Sequence, residues 1–391
     1  MLSVPEARSI ILKHCLFSKT IQSQLLDAAG FVLAEPVFSP IDTPPFNQAA
    51  MDGFAFSFET WDGESTLKLR GEVQTGNFLS ERINSLEAVR IFTGAPVPPG
   101  ADTVVMQEKV IVTDEIIQIK DENLCKGNNV RPQCSQSKKG ELILNAGHLL
   151  TPGAISFLAG TGINKVTVYA RPSVSIIVTG KELVKPGTSL PEGKIYESNS
   201  FGLTATLKQL GIMPVSVETT DDNEEAITNA FEKCKQSDII ITTGGVSVGN
   251  YDFVAAALEK CGVKKIFHKV KQKPGKPFYF GTCNHSIVFA LPGNPAAALT
   301  CFYEYIVPAI GQITKRNYFT KLDLPLENSY QKKNGLTYLM KGKTGNGAVM
   351  VLENQESYLM NSFALADCLI ELDEDKEYFE KGEIVKVQMI I

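Results

Sequence analysis

Ile239-Ile240-Ile241-Thr242-Thr243-Gly244-Gly245-Val246-Ser247-Val248-Gly249-Asn250-Tyr251-Asp252 opens a strand, loop, helix unit. An unbroken β-branched run without alternation predicts a strand covered on both faces, the glycines a turn at its end, and Asp252 the cap of a helix over 253–260. The same rhythm extends to both sides. Residues 174–178 form a second continuous apolar run, and Asn199 stands where it can cap a helix carrying Leu203, Leu207 and Leu210 on one face before Gly211. Residues 286–291 read as a further strand that turns through Pro292-Gly293-Asn294-Pro295 into a helix reaching about Tyr305. Alternating strands and helices predict an open, largely parallel sheet with helices on both faces. Ligands of such sheets bind outside the carboxyl ends of the strands.

Further out the pattern changes. Toward the N-terminus, 6–15 reads as a short helix and 21–29 as a second one ended by Gly30, followed by a proline-broken segment over 40–45. Short β-rich runs between 67 and 119, separated by Gly and Pro, predict an all-β insert. After Gly311, short strands with glycine-rich turns predict a small C-terminal β domain. The chain has 391 residues, 43% of them hydrophobic, which is enough for several packed domains. A net charge of −5 with dispersed Lys and Arg argues against a nucleic-acid footprint. With no charged and apolar leader and no run of about 20 apolar residues, the expectation is a cytoplasmic protein that does not engage a membrane. Eight cysteines occur without a CxxC pair, and the four histidines share no ligand spacing with them, which predicts buried thiols in place of zinc or disulfides.

Three strand-end loops carry candidate chemistry: Thr179-Gly180-Lys181-Glu182-Leu183, the Gly244 to Asp252 loop, and Leu291-Pro292-Gly293-Asn294-Pro295. Glycines there let backbone N–H groups approach an anion, Ser247 adds a hydroxyl, and a helix start adds its positive end. The same residues also serve ordinary tight turns and caps. Lys273-Pro274-Gly275-Lys276-Pro277 sets two ammonium groups on a rigid turn, either a clamp for an oxyanion or solvated surface. Asp52, Glu182, Asp221 and Asp252 each lie beside a loop signal; gathered near a phosphate site, such carboxylates hold a hard cation, most often Mg²⁺. Thr93-Gly94-Ala95-Pro96 reads as a rigid hairpin connection unless another domain or subunit brings it to the α/β site.

In sequence order, Ala50-Met51-Asp52-Gly53-Phe54-Ala55, the Thr93 loop, the Thr179 loop, the Gly244 loop, the Lys273 turn and the Leu291 loop resemble the motifs of the MoeA family of molybdopterin molybdenumtransferases, which includes the gephyrin E domain. The resemblance implies an elongated, α/β plus β, multidomain subunit. Its parts would be a molybdopterin-binding three-layer α/β domain over 1–17 and 171–312, a linking domain over 18–44 and 141–170, a β-rich insert over 45–140, and a C-terminal β barrel over 313–391. It further implies a homodimer with a composite site, where the insert of one subunit faces the α/β domain of the other. The implied reaction takes adenylylated molybdopterin and molybdate with Mg²⁺ to molybdenum cofactor and AMP. A molybdopterin adenylyltransferase and recipient molybdoenzymes are the implied partners.

By match to family positions, Asp52, Glu182 and Thr93 would be catalytic. Gly244, Gly245, Ser247, Gly249, Lys273, Lys276, Pro292, Asn294 and Pro295 would bind the pterin nucleotide, and Asp221, Asp252 and Glu182 the metal. The chain departs from the family pattern at Ala49 and Lys181, and at Arg131-Pro132-Gln133-Cys134-Ser135-Gln136, where Gln136 replaces an acid. Gln136 and Lys181 therefore set a pterin-binding scaffold with weakened chemistry beside the active transferase. A further alternative is the adenylyltransferase itself, whose domain shares the Gly-Gly-Val-Ser loop, though the long N-terminal segment and β insert argue against it.

Overall fold

The computed structural model describes residues 1–245 and 253–390. It contains two compact units, Met1–Thr20 with Tyr169–Ile391, and Ile21–Val168.

The first unit is built on a six-stranded sheet in the order Ser216–Thr220, Val174–Thr179, Ile239–Thr243, Ser286–Leu291, Tyr279–Cys283, Lys264–His268. The first four strands are parallel, as the apolar runs predict; Tyr279–Cys283 runs antiparallel to them, and Lys264–His268, antiparallel to Tyr279–Cys283, runs in their direction again. Tyr279–Cys283 and Ser286–Leu291 form a hairpin around Asn284, at φ 51°, so the sheet is mixed. Successive side chains on a strand point to opposite faces. Accordingly, Ile176, Ile241 and Phe289 pack with residues of Val4–His14, Asn199–Gln209 and Pro295–Cys301, while Ile177, Ile240 and Val288 pack with Glu224–Cys234 and Phe253–Lys260. This is a three-layer arrangement. Val4–His14 begins in a capping box, with Ser3 and Glu6 each bonded to the other's backbone N–H.

Pro295–Thr314 is one continuous run of helix, widened to a π-turn at Phe302–Ile306 just before Pro308. It is long and apolar enough to cross a membrane by composition, contrary to the expectation that no such stretch exists, but 78% of its most apolar window is buried within the protein. It serves as a core helix. The π-turn holds Glu304, 3% exposed, against Arg8 of the N-terminal helix, and Arg8 also donates to Glu371 at 3.0 Å. In the C-terminal part, Thr337–Gly345, Cys368–Leu372, Ile384–Met389, Lys321–Pro325 and Ala348–Val351 close into a small barrel. The parallel bridge between Leu326 and Val349 closes the ring around a core that includes Met340, Ile370 and Val387.

The second unit contains a six-stranded sheet in the order Thr103–Met106, Gly53–Phe56, Glu87–Ile91, Leu67–Val73, Ile116–Ile119, Val110–Thr113, with separate cores on its two faces. A further core gathers Leu33, Leu150, Leu158, Val166 and Val168 around the helix Pro152–Gly160, which Thr151 caps through Ala154 N–H. The expected helix over 21–29 is instead the strand Thr20–Gln24 followed by turns to Gly30. Ile21, Leu25 and Ala28 recur at helical spacing, but pairing of Thr20–Gln24 with Lys165–Tyr169 overrides that local pattern.

Candidate active site

The chain runs from Val174–Thr179 outward to Ser216–Thr220 and then back across to Ile239–Thr243, so the sheet reverses direction between the strands ending at Thr179 and Thr243. Such a switch point leaves a crevice at the carboxyl ends. Here it is a cleft of about 640 Å³, bordered by Thr179, Glu182, Asn199, Asp222, Gly244 and Asn294, among others.

Its floor requires glycine. Gly244, at φ 93°, would place a Cβ 2.4 Å from the Thr179 carbonyl oxygen, and Gly245, at φ 62°, would place one 2.6 Å from Val254 Cγ2. Gly244→Ala is therefore expected to cost about 1–3 kcal/mol through backbone strain and to displace the Thr179 strand end. Thermal melting should show a lowered Tm; an unchanged Tm would contradict this account of the floor.

The polar lining is unevenly satisfied. Glu197, buried, accepts from Ser200 N at 2.7 Å and Ser200 Oγ at 2.5 Å, and so caps the helix that Asn199 was expected to cap. Asn199 Nδ2 instead donates to the Gly293 carbonyl at 2.9 Å and reaches Thr243 Oγ1 at 3.4 Å, joining two strand ends. Thr179 Oγ1, Asn199 Oδ1 and Asp222 Oδ1 are buried without a partner among the described residues. Ser357 spans the start of the helix Pro295–Cys301: its carbonyl accepts from Ala296 and Ala297 N–H, and its hydroxyl accepts from Asn294 Nδ2 at 2.9 Å. The positive end of that helix is thus already engaged by the chain.

In the second unit, Asp52 and Thr93 meet directly. Asp52 Oδ1 accepts from Thr93 N–H and from the Thr93 hydroxyl, both at 2.8 Å. The Thr93 backbone donor, then its hydroxyl, hold the Asp52 carboxyl below the ordinary aspartate range, so it is ionised at neutral pH. Gly53 permits this corner, because a Cβ there would lie 1.9 Å from the Val105 carbonyl oxygen. Around it, Ala50 N–H donates to the Asn129 carbonyl, and Gly94 N–H to that of Ala49.

Comparison with known proteins covers both units. Sequence profiles match over residues 2–162 (MoeA N-terminal region, domains I and II), 175–312 (probable molybdopterin binding domain) and 323–390 (MoeA C-terminal region, domain IV). The molybdopterin molybdenumtransferase of Haemophilus influenzae is 34% identical across 99% of this chain and 98% of its own length. This chain belongs to the MoeA family of molybdopterin molybdenumtransferases. The Staphylococcus aureus protein of that name is 30% identical across 98% of the chain and 94% of its own length. The crystal structure of a molybdopterin biosynthesis MoeA protein from a Pyrococcus species superposes with a TM-score of 0.87 at 27% identity, covering 100% of this chain and 99% of that one.

Within this MoeA-family fold, Glu182, Gly244, Gly245, Pro292, Asn294 and Pro295 border the cleft. Ser247, Gly249 and Asp252 lie outside the described residues. The acidic pair after Ser216–Thr220 divides differently from expectation: Asp222 borders the cleft, whereas Asp221 is exposed beyond it. Asn223 next to them caps Glu224–Cys234, and this turn directs Asp222 inward. Among the described residues, no group of three or more His, Cys, Asp or Glu side chains could hold a metal ion. Lys273 and Lys276 are exposed; Lys273 Nζ lies 5.0 Å from the centre of the Tyr338 ring, and of their turn only Pro277 borders the cleft. That turn is anchored by buried Gln272, whose Nε2 donates to the carbonyls of Pro274 and Gly275 at 3.2 and 3.1 Å. Sequence reasoning missed Asn199 as a cleft residue, Asp222, and the Ser357-Tyr358 segment. Only the doubled acid at 221–222 carried a signal, because nothing local in 357–358 foretells its return to the Asn294 loop.

Proposed function

We propose that the chain takes adenylylated molybdopterin and molybdate, hydrolyses the adenylate, and releases molybdenum cofactor and AMP. The observation that carries this reading is the switch-point cleft, lined by three glycine-containing strand-end loops and by oxygens that lack partners among the described residues, in a chain matched end to end by molybdopterin molybdenumtransferases.

The donor set of the cleft suits Mg²⁺. Glu182 and Asp222 are oxygen ligands, Asp222 Oδ1 is buried and unpartnered, and Mg²⁺ needs only one or two carboxylates because it keeps several waters. Bound there by Glu182 and Asp222, the ion would supply charge stabilisation to the phosphate oxygens. The chain's own contribution is binding and proton handling. Glycine loops admit the phosphate to backbone N–H groups, and Lys273 and Lys276, on an adjoining turn, offset the charge of molybdate and substrate. Glu182 accepts the proton of the water attacking the phosphate, and AMP departs. Two dithiolene sulfurs then replace oxo groups of molybdate, which leave as water after taking up protons.

Asp52 and Thr93 complete the site from the partner subunit of a homodimer in this proposal; their mutual hydrogen bonds preset an ionised carboxylate for proton transfer. A cytoplasmic location fits a substrate supplied by a molybdopterin adenylyltransferase and a product passed to molybdoenzymes. Lys181 is exposed and outside the border of the cleft, which favours the active enzyme over the scaffold. Incubation with adenylylated molybdopterin, Mg²⁺ and molybdate is expected to release AMP and to activate a cofactor-free molybdoenzyme. Pterin binding without AMP release under any of several divalent metals would overturn the reading in favour of the scaffold.

A further inference from the structure

The cleft contains two neutral side chains with buried polar atoms that have no partner among the described residues, Asn199 and Thr179. The orientation of the Asn199 amide is set by its neighbour. The Gly293 carbonyl, 2.9 Å away, can only accept, so the NH₂ group faces it and Oδ1 is the free acceptor. Thr179 is 4% exposed, and its hydroxyl borders the space left by the missing Gly245 side chain, 3.4 Å from where a Cβ would stand. Buried polar atoms are nearly always paired, and an unpaired one marks a place for a water, an ion or a ligand.

We propose that Asn199 and Thr179 form a neutral subsite that receives an N–H or O–H donor of the bound pterin nucleotide and fixes its orientation. The proposal rests on the functional reading above and adds specificity-determining residues to it. Oxygens of phosphate and molybdate are acceptors and are repelled at Asn199 Oδ1, so the subsite takes the neutral part of the ligand. The donors available there are the amino and ring N–H groups of the pterin, or the ribose hydroxyls and amino group of the adenylate. Both sources present the same chemistry to the acceptor.

Calorimetric titration with two sets of probes separates them: AMP against inosine monophosphate and 2′-deoxy-AMP, and pterin-6-carboxylate against its 2-oxo counterpart. The wild-type protein is expected to prefer the parent over the analogue lacking the donor by about tenfold in one set, the scale of one net hydrogen bond. Asn199→Leu should abolish that preference. Thr179→Val, which replaces the hydroxyl by a methyl group of similar size, should weaken binding while leaving the Tm of the free protein unchanged or raised, because no intramolecular bond is lost. A side chain serving only the fold would lower Tm and leave the preference intact. If wild type prefers neither parent, or both variants keep the preference, the subsite is overturned. Failure of wild type to bind either parent instead overturns the functional reading on which it rests.

Discussion

Glu182→Gln is expected to lower the rate of AMP release by about 10²–10⁴-fold while leaving the fold unchanged, the range associated with losing a positioned proton acceptor. Glu182 borders the cleft beside Gly180, where φ is 154° and a Cβ would lie 2.9 Å from Glu182 Oε1. Its own strand end therefore positions the carboxylate, and removing the charge should not disturb the floor. Single-turnover AMP release is the measurement. A fall in kcat with nucleotide affinity held within a few-fold supports the proton-accepting role. A variant as fast as wild type would remove Glu182 from the chemistry.

The largest expected effect on stability lies away from the cleft. Arg8→Ala leaves Glu304, 3% exposed, without the guanidinium that pairs with it, and breaking such a buried pair costs about 3–5 kcal/mol. Three elements meet there, since Arg8 also donates to Glu371 of Cys368–Leu372, so the loss should appear as a lowered Tm and earlier proteolysis. The pH dependence has a definite sign. Burial pushes the Glu304 carboxyl up to about 7, against the opposing pull of Arg8, and nearby Glu371 raises it while Lys321 lowers it. A carboxyl raised in the folded state contributes stability that is complete below its unfolded value and is lost as pH rises through the folded value. Without Arg8 the folded value rises further, so the destabilisation should be greater at pH 8 than at pH 5. Equal Tm losses at the two pH values would contradict the buried-charge account.

The α/β core was legible because its signal is local. The apolar runs at 174–178, 239–243 and 286–291 can be strands buried on both faces, and the structure covers both faces of each. The strands Lys264–His268 and Tyr279–Cys283 were not legible. They interleave lysine, glycine and aromatics, and the hairpin at Cys283-Asn284-His285-Ser286 turns through Asn284 without a glycine. Residues 21–29 misled because Ile21, Leu25 and Ala28 fall at helical spacing and a terminal glycine resembles a helix end, although the segment gains its partner from the distant strand Lys165–Tyr169. In the site, glycine-bearing loops announced themselves through backbone demands visible in one dimension. Asn199 looked like a helix cap because its link to Gly293 spans 94 positions, and Glu197 does the capping. Asp52 and Thr93 are 41 residues apart, and only the ordered motif set suggested that they belong together.

The central claim is that Asp52 of one subunit and Glu182 of its partner serve a single site. Co-expressing Asp52→Ala and Glu182→Ala chains under two affinity tags allows the mixed dimer to be isolated. If the site is composite, one of its two sites retains both carboxylates, and AMP release should recover to about half the wild-type rate. If each subunit works alone, both sites of the mixed dimer carry a lesion, and its rate would stay at the level of the parent variants, contradicting the claim.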